Sequence, residues 1–207
     1  MAVQTMTYSV ADYNALPDFA DSLREFDALR GAHLAGGVMK DLFRKHGVET
    51  KLGLALLHKH CTLNADERMT EVRGTSNPIT FSLGKPHMWK LNLDRLVPLE
   101  FSLGQCDTDW EEHDMQEFLG EFWKTLVTYK ADKVLGLCRY PGDGYPGRVE
   151  FTAGRSNINL TPQEAEALPS AGTREAAWFY TDDYMKRGCK CNCFDVVEHR
   201  HSHGYTT

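Results

Sequence analysis

The chain lacks the features that mark secreted and membrane-spanning proteins. Its first residues, MAVQTMTYSVADYNALPDF, contain neither the charged start nor the apolar run of a signal peptide. The longest purely aliphatic run, LGLALL, is far too short to cross a bilayer. We therefore expect a cytoplasmic protein, in which the six cysteines are reduced and available as thiols or metal ligands rather than as disulfides.

The chain also lacks a block of basic residues. Its 23 lysines and arginines are outnumbered by 29 aspartates and glutamates, which gives a formal net charge of -6. This balance argues against general nucleic-acid binding and against attraction to an anionic lipid surface. We expect neither a nucleic acid nor a membrane as a partner. A small-molecule ligand is the partner class that remains, and the sequence leaves the oligomeric state open.

Several common catalytic signatures are missing as well. The chain has no GxxxxGK(S/T) phosphate loop, no GxGxxG after a strand, no GxSxG elbow and no HExxH. The HxE and PCxxC pair of the zinc deaminases is absent too. ATP-driven work, nicotinamide chemistry of the usual fold and the commonest hydrolase mechanisms are therefore disfavoured.

The segments that are present predict an α+β protein. A chain of 207 residues fits one domain and can bury a core without disulfides. Helical periodicity near the N-terminus covers DFADSLREFDALR and GGVMKDLFRKHG. Strand-like pieces follow in KLGLALLHKHCTL, PITFSLG, HMWKLNLD, VPLEFSLG, KVLGLCRY, RVEFTAGRSNINL and EAAWFYT. We predict a single domain with N-terminal helices, a mostly antiparallel sheet and one long amphipathic helix packed on it.

The long helix is the most strongly periodic segment, DWEEHDMQEFLGEFWKTLVTYK. Phe118, Phe122, Trp123 and Leu126 fall on a single apolar stripe at helical spacing. We expect this stripe to cover one face of the sheet.

The C-terminal stretch GCKCNCFDVVEHRHSHG concentrates potential metal ligands. We divide the chain into an α+β domain over residues 1–187 and a Cys/His-rich tail over residues 188–207. Thiolate and imidazole are ligands that zinc prefers, and alternate positions of an extended segment share one side. The candidate metal ligands are Cys189, Cys191, Cys193, His199, His201 and His203. We predict that at least two of the cysteines and one of the histidines bind zinc. Since CxC is tighter than the usual CxxC, a solvated tail or a redox role of the thiols are the alternatives.

A second pair of histidines lies in LLHKHC. His58 and His60 continue the alternation of the apolar residues before them, so we expect both side chains to be buried on the core-facing side of a strand. The third group of a catalytic site comes from His87, Glu100 or Glu150, each within or at the end of a strand-like segment. Two histidines and a carboxylate would suit iron, and copper is an alternative. The competing interpretation is that the two histidines only line a pocket or the core.

Glu150 also lies near a basic residue in EFTAGRSNI. Arg155 follows it across a glycine-containing bend. The simplest expectation is a surface ion pair between these two residues.

The segments GVETKLGLALLHKHCTL, PLEFS and VEFTAGRSNINL resemble a family of uncharacterised proteins from filamentous fungi. Those proteins share a strand that ends in LLHxH, a later apolar-Glu-Phe step and an EFTxGRxNI-like segment. The resemblance covers most of residues 40–160 and implies a fungal intracellular setting without defining a reaction. Cys61 stands where an aromatic residue is more usual in that family.

Two functions remain. The first is a metal-dependent oxidoreductase that acts on a small molecule, with His58, His60, His87 and Glu100 as its catalytic residues. The second is a non-catalytic small-molecule-binding or interaction protein that carries a structural zinc in the tail. The sequence alone does not decide whether the protein is an enzyme.

Overall fold

The computed structural model describes residues 3–80, 84–103, 110, 113–166, 173–182 and 191–194, the last of these by their backbone positions. The α-helices are α1 Val10–Asn14, α2 Phe19–Ala28, α3 Gly31–Leu34, α4 Lys40–Lys45, α5 His113–Thr128 and α6 Pro162–Ala165. A π-helical segment, Ala35–Met39, joins α3 to α4. The strands are β1 Gln4–Thr5, β2 Leu52–Leu56, β3 Glu67–Val72, β4 Thr75–Thr80, β5 Lys85–Asn92, β6 Arg95–Ser102, β7 Leu135–Arg139, β8 Arg148–Ala153, β9 Ser156–Leu160, β10 Thr173–Trp178 and β11 Cys191–Phe194.

The strands of the described regions form one sheet that closes on itself. Their order is β1-β6-β3-β4-β9-β8-β11-β10-β2-β7-β5, and β5 also pairs with β6. That extra pairing joins the last strand to the second, so the strands from β6 to β5 form a closed ring. The pairings are antiparallel except for β1–β6, β3–β6 and β8–β11. The predicted combination of helices with a mostly antiparallel sheet is confirmed.

The largest buried cluster lies between the helices and strands β2, β5 and β7. Its centre is Phe43 of α4, whose ring meets those of Phe118, Phe122 and Tyr180 at centroid distances of 5.0, 6.1 and 5.0 Å. The members contributed by α5 are Met115, Phe118, Leu119, Phe122 and Leu126. Trp123 is only half-buried and packs against the edge of this cluster. The apolar stripe of α5 thus shares one core with the sheet.

Strand β2 is buried on both of its faces, which explains its continuous apolar sequence. Leu52, Leu54 and Leu56 belong to the helix-side cluster. Ala55, between them, packs in a second cluster with Cys138, Tyr140, Ala177 and Phe179. Strand β7, which pairs with β2, packs tightly against β5. A Cβ atom at Gly136 of β7 would lie only 2.5 Å from the carbonyl oxygen of Trp89 in β5. Glycine is therefore required there for the strands to approach.

Three strands, β1, β3 and β11, lie where the sequence pattern gave no strand prediction. β3, with the sequence ERMTEV, is too polar to stand out, yet it forms a hairpin with β4. Arg73 and Gly74 make its two-residue turn with φ angles of 52° and 82°, a geometry typical of tight hairpins. β11 comes from the segment interpreted as a tail, and it pairs with β8 and β10. The boundary between residues 187 and 188 lies outside the described residues and stays a prediction.

In the described parts of the chain, no helix combines the length and the apolar character needed to cross a membrane.

Truncation of the α5 stripe should destabilise the protein. Phe122 is fully buried, so Phe122→Ala should lower the free energy of unfolding by about 3–5 kcal/mol, measured by chemical denaturation. Val127→Ala is the matched control in the same helix, because half of the Val127 side chain is exposed, and it should change that free energy by less than about 0.5 kcal/mol. Equal midpoints for the Phe122 variant and the wild-type protein would contradict the packing.

Candidate metal centre

A cavity of about 280 Å³ lies within the ring of strands, next to the second buried cluster. One part of its wall is apolar and includes Met88, Ala177 and Phe179. The other part is ionisable or polar, and it includes residues from six different strands and from the segment after β2. These residues are His58, Glu71, Ser76, His87, Glu100, Arg148, Glu150 and Asn157. The cavity therefore joins an apolar surface to a cluster of carboxylates and imidazoles.

The two histidines of LLHKHC lie just beyond the end of a strand. The prediction that the strand continues through His60 is wrong, because β2 ends at Leu56. After that point the chain turns away from the ladder, and Lys59 forms a bridge to Asp18 instead. The predicted burial is confirmed, because His58 is 4% exposed and the side chain of His60 is also 4% exposed.

His58, His60 and Glu150 bring their ligand atoms together. One nitrogen of each imidazole and one carboxylate oxygen all lie within 4.8 Å of one another. The centroids of the two imidazole rings are 4.7 Å apart. His60 Nε2 is 3.8 Å from Glu150 Oε2. Ligands at usual bond lengths from a shared ion lie at most about 4.2 Å apart, so a side-chain movement below about 1 Å suffices. This group can hold a metal ion.

Hydrogen bonds fix which nitrogen of each imidazole carries the proton. His58 Nδ1 lies 2.8 Å from the carbonyl oxygen of Leu56, which only accepts, so Nδ1 donates and Nε2 carries the lone pair. Asn157 Nδ2 donates to His60 Nε2 at 3.1 Å, and His60 Nδ1 donates to Thr152 Oγ1 at 3.0 Å. In metal-binding histidines one ring nitrogen usually donates to a carbonyl, carboxylate or water while the other faces the ion. His58 and His60 each donate one such bond, to a carbonyl and to a hydroxyl oxygen respectively, and Nε2 of His60 accepts from Asn157.

Burial keeps both imidazoles neutral. Removal from water lowers the pKa of His58 below its ordinary value. The same effect, reinforced by the neighbouring His58, lowers the pKa of His60 to about 3. A neutral imidazole is the form that binds metal ions, so the electrostatic surroundings favour the ligand state.

His87 and Glu100 line the same cavity but stand outside the three-residue group. His87 lies between two carboxylates, with Nε2 at 3.6 Å from Glu100 Oε2 and Nδ1 at 3.9 Å from Glu71 Oε2. Burial raises the pKa of Glu100, but the neighbouring His87 outweighs that effect, so the pKa is lowered overall. Arg148 donates to Glu71 at 2.8 Å. Of the three candidates for the third ligand, Glu150 is the one that meets both histidines.

The expected ion pair between Glu150 and Arg155 is wrong. Arg155 donates to both carboxylate oxygens of Glu67, one of them at 3.0 Å, and Glu150 lines the cavity instead. Arg155 and Gly154 form the turn of the β8–β9 hairpin, so a side chain at the turn and one in the strand diverge.

Sequence reasoning missed Thr152 and Asn157, the two residues that hold the ring of His60. They are directly paired across the β8–β9 hairpin. The bend around Gly154 was predicted, and pairing outward from it places these two residues opposite each other. That cross-strand pair was therefore available from the sequence, but nothing in the sequence connects it to His60.

The tail ligands are only partly described. Cys191 and Cys193 lie in β11, where they are in register with Arg148 and Glu150 of β8. Both positions are thus next to the strand that supplies a carboxylate to the cavity. Cys189, His199, His201 and His203 lie outside the described residues. A zinc ion in the tail stays a prediction.

Comparisons with protein-family models, with curated proteins and with solved structures give no match for this chain.

The depressed pKa of His60 should make metal-free protein sensitive to acid. The unfolded chain takes up the proton near the ordinary pKa of 6.5, whereas the folded chain does so only near 3. The contribution of neutral His60 to the free energy of unfolding is therefore fully present above pH 6.5, and it is lost as the pH falls from 6.5 towards about 3. Between about pH 7 and pH 5, His60 should account for roughly 2 kcal/mol of lost unfolding free energy.

Urea denaturation of chelator-treated protein at several pH values measures this loss. His60→Gln should reduce the pH dependence, because position 60 then has no proton to gain on unfolding. His113→Gln is the control, since that side chain is 83% exposed. A pH dependence that is the same in the His60 variant and in wild type would contradict the assignment.

The predicted zinc site in the tail is tested by substitution rather than by truncation, because truncation would remove β11 from the sheet. We expect a variant with Cys189, Cys191 and Cys193 all changed to serine to lose one zinc ion per chain, measured by elemental mass spectrometry. Serine does not supply a thiolate, which is the ligand that zinc requires there. Cys61→Ser should keep the wild-type content. Unchanged zinc in the triple variant would rule out the tail site.

Proposed function

We propose that this protein is a metal-dependent oxidoreductase that acts on a small molecule, with the ion held by His58, His60 and Glu150. The observation that carries the proposal is the convergence of three ligand atoms within 4.8 Å, with His58 and Glu150 lining a cavity of about 280 Å³. Two histidines and one carboxylate are the protein ligands of many iron enzymes that activate oxygen. Such a set leaves coordination positions open for a substrate.

The residues present fit such an ion chemically. Both imidazoles are neutral and carry their lone pairs on Nε2. The third group is a carboxylate, and imidazole with carboxylate suits iron, zinc and copper. Iron is our first choice, and copper and zinc are the alternatives that elemental analysis would distinguish. The bound ion would supply redox or Lewis-acid chemistry next to the cavity.

The cavity itself limits the substrate. A volume of about 280 Å³ is at the lower end for ligand sites, so the substrate is small. Met88, Ala177 and Phe179 offer it an apolar surface on one side. On the other side His87 lies between Glu71 and Glu100. It can accept a proton from the substrate or return one to it. In this proposal His87 and Glu100 act on the substrate while the other three residues hold the ion.

A non-catalytic binding protein is the second candidate. It is favoured by the hydrogen bonds of His60, whose two ring nitrogens both have protein partners without any ion. In that case the histidines orient a bound molecule or simply complete the wall of the cavity.

Metal analysis of protein purified without a metal-affinity step separates the two candidates. We expect the wild-type protein to contain a divalent ion that is lost in the double variant His58→Ala, His60→Ala and reduced in Glu150→Gln, since ligands are removed. Circular dichroism would verify that each variant is folded. The matched controls are His113→Ala and Glu117→Gln, an exposed His–Glu pair in α5, which should keep the full content.

An ion that survives in the folded double variant would contradict the proposed ligands. Wild-type protein without any such ion, even after incubation with iron, would leave the non-catalytic candidate. For a positive result, oxygen consumption by iron-loaded protein with a panel of small molecules would identify the reaction class.

A further inference from the structure

Asn157 carries an unusual buried atom beside the candidate metal group. The residue lies in β9, is 2% exposed and lines the cavity. Its amide nitrogen donates to His60 Nε2, but its oxygen, Oδ1, is buried with no hydrogen-bond partner among the described residues. Buried carbonyl oxygens in folded proteins almost always have a partner, so an orphaned one calls for an explanation.

The position of Asn157 is fixed by the sheet. It is in register with Thr152 of β8 on one side and with Ser76 of β4 on the other. Thr152 accepts from His60 Nδ1 while Asn157 donates to Nε2. The two paired residues therefore hold the same imidazole at its opposite nitrogens.

The hydrogen bond from Asn157 occupies the lone pair that a metal ion needs. An ion bound to His60 Nε2 displaces the amide N–H, because one lone pair cannot serve both. Rotation of the amide about χ2 would exchange the positions of Nδ2 and Oδ1 and so present the oxygen on the side of His60. An amide oxygen is a competent ligand for divalent metals.

We propose that Asn157 is a fourth protein ligand, whose amide oxygen joins His58, His60 and Glu150 when an ion binds. This inference rests on the proposed metal site. It predicts a donor set of two nitrogens and two oxygens. Such a set favours harder ions, such as manganese and ferrous iron, more than the three-residue group does.

The test is a titration of chelator-treated protein with cobalt(II), followed by its absorption spectrum, with manganese(II) and zinc(II) as competitors. We expect Asn157→Leu, which keeps the approximate shape but has no oxygen, to bind cobalt about 10- to 100-fold more weakly. Its affinity for manganese should fall more than its affinity for zinc. Asn159→Leu is the matched control, because Asn159 lies two residues further along β9 and lines the same cavity. It should bind cobalt like the wild type.

Asn157→Asp distinguishes a ligand from a residue that only positions His60. Aspartate keeps the oxygen but removes the N–H donor, so a ligand role predicts binding at least as tight as in wild type. A positioning role predicts weakened binding in this variant too, and that result would overturn the proposal. If Asn157→Leu fails to fold, judged by circular dichroism, Asn157→Asp and the metal preference still decide.

The failure of this inference is distinguishable from the failure of the proposed function. Wild-type binding that depends on His58 and His60 but is unchanged in Asn157→Leu overturns the fourth ligand alone. A wild-type protein that binds no cobalt, manganese or zinc in the cavity overturns both.

Discussion

The burial of strand β2 on both faces is the constraint on which the rest of the structure depends. Its leucines close the helix-side core, and Ala55 closes the opposite cluster. The chain leaves β2 while still inside the protein, so His58 and His60 emerge where water is excluded. The burial that stabilises the fold therefore also lowers the pKa of both imidazoles and keeps them in the form that binds metal ions.

Three carboxylates from three different strands line the cavity. Glu71 is matched by Arg148, and Glu100 is held ionised by His87. Glu150 Oε2 lies 3.8 Å from His60 Nε2. Carboxylates gathered in one cavity repel one another, and a divalent cation relieves that repulsion more than a neutral ligand does. The electrostatics of the cavity thus agree with the ligand geometry.

The sequence predicted the parts of the fold that depend on local periodicity. The apolar alternation of β2, the stripe of α5 and the bend at Gly154 all follow from spacing along a single segment. β3 was missed because its sequence is polar, and β11 because its cysteines and the nearby histidines suggested a separate metal site.

The candidate site was predictable only in its first half. His58 and His60 are two residues apart, so their common burial could be expected from one segment. The third ligand could not be chosen, because Glu100 and Glu150 lie on β6 and β8, and the closure of the ring decides which carboxylate reaches the histidines. Asn157 was missed for the same reason, since its contact with His60 spans 97 residues.

The place of β11 in the ring has a consequence for the order of folding. β11 follows every other described strand along the chain, yet it lies between β8 and β10. During synthesis, the edge of β8 that pairs with β11 therefore has no partner until residues 191–194 have been made. Such an edge can pair with another chain, and the long sequence separation slows its correct closure. The wall that carries Glu150 is thus completed last, and a nascent chain has no finished cavity until the ring has closed.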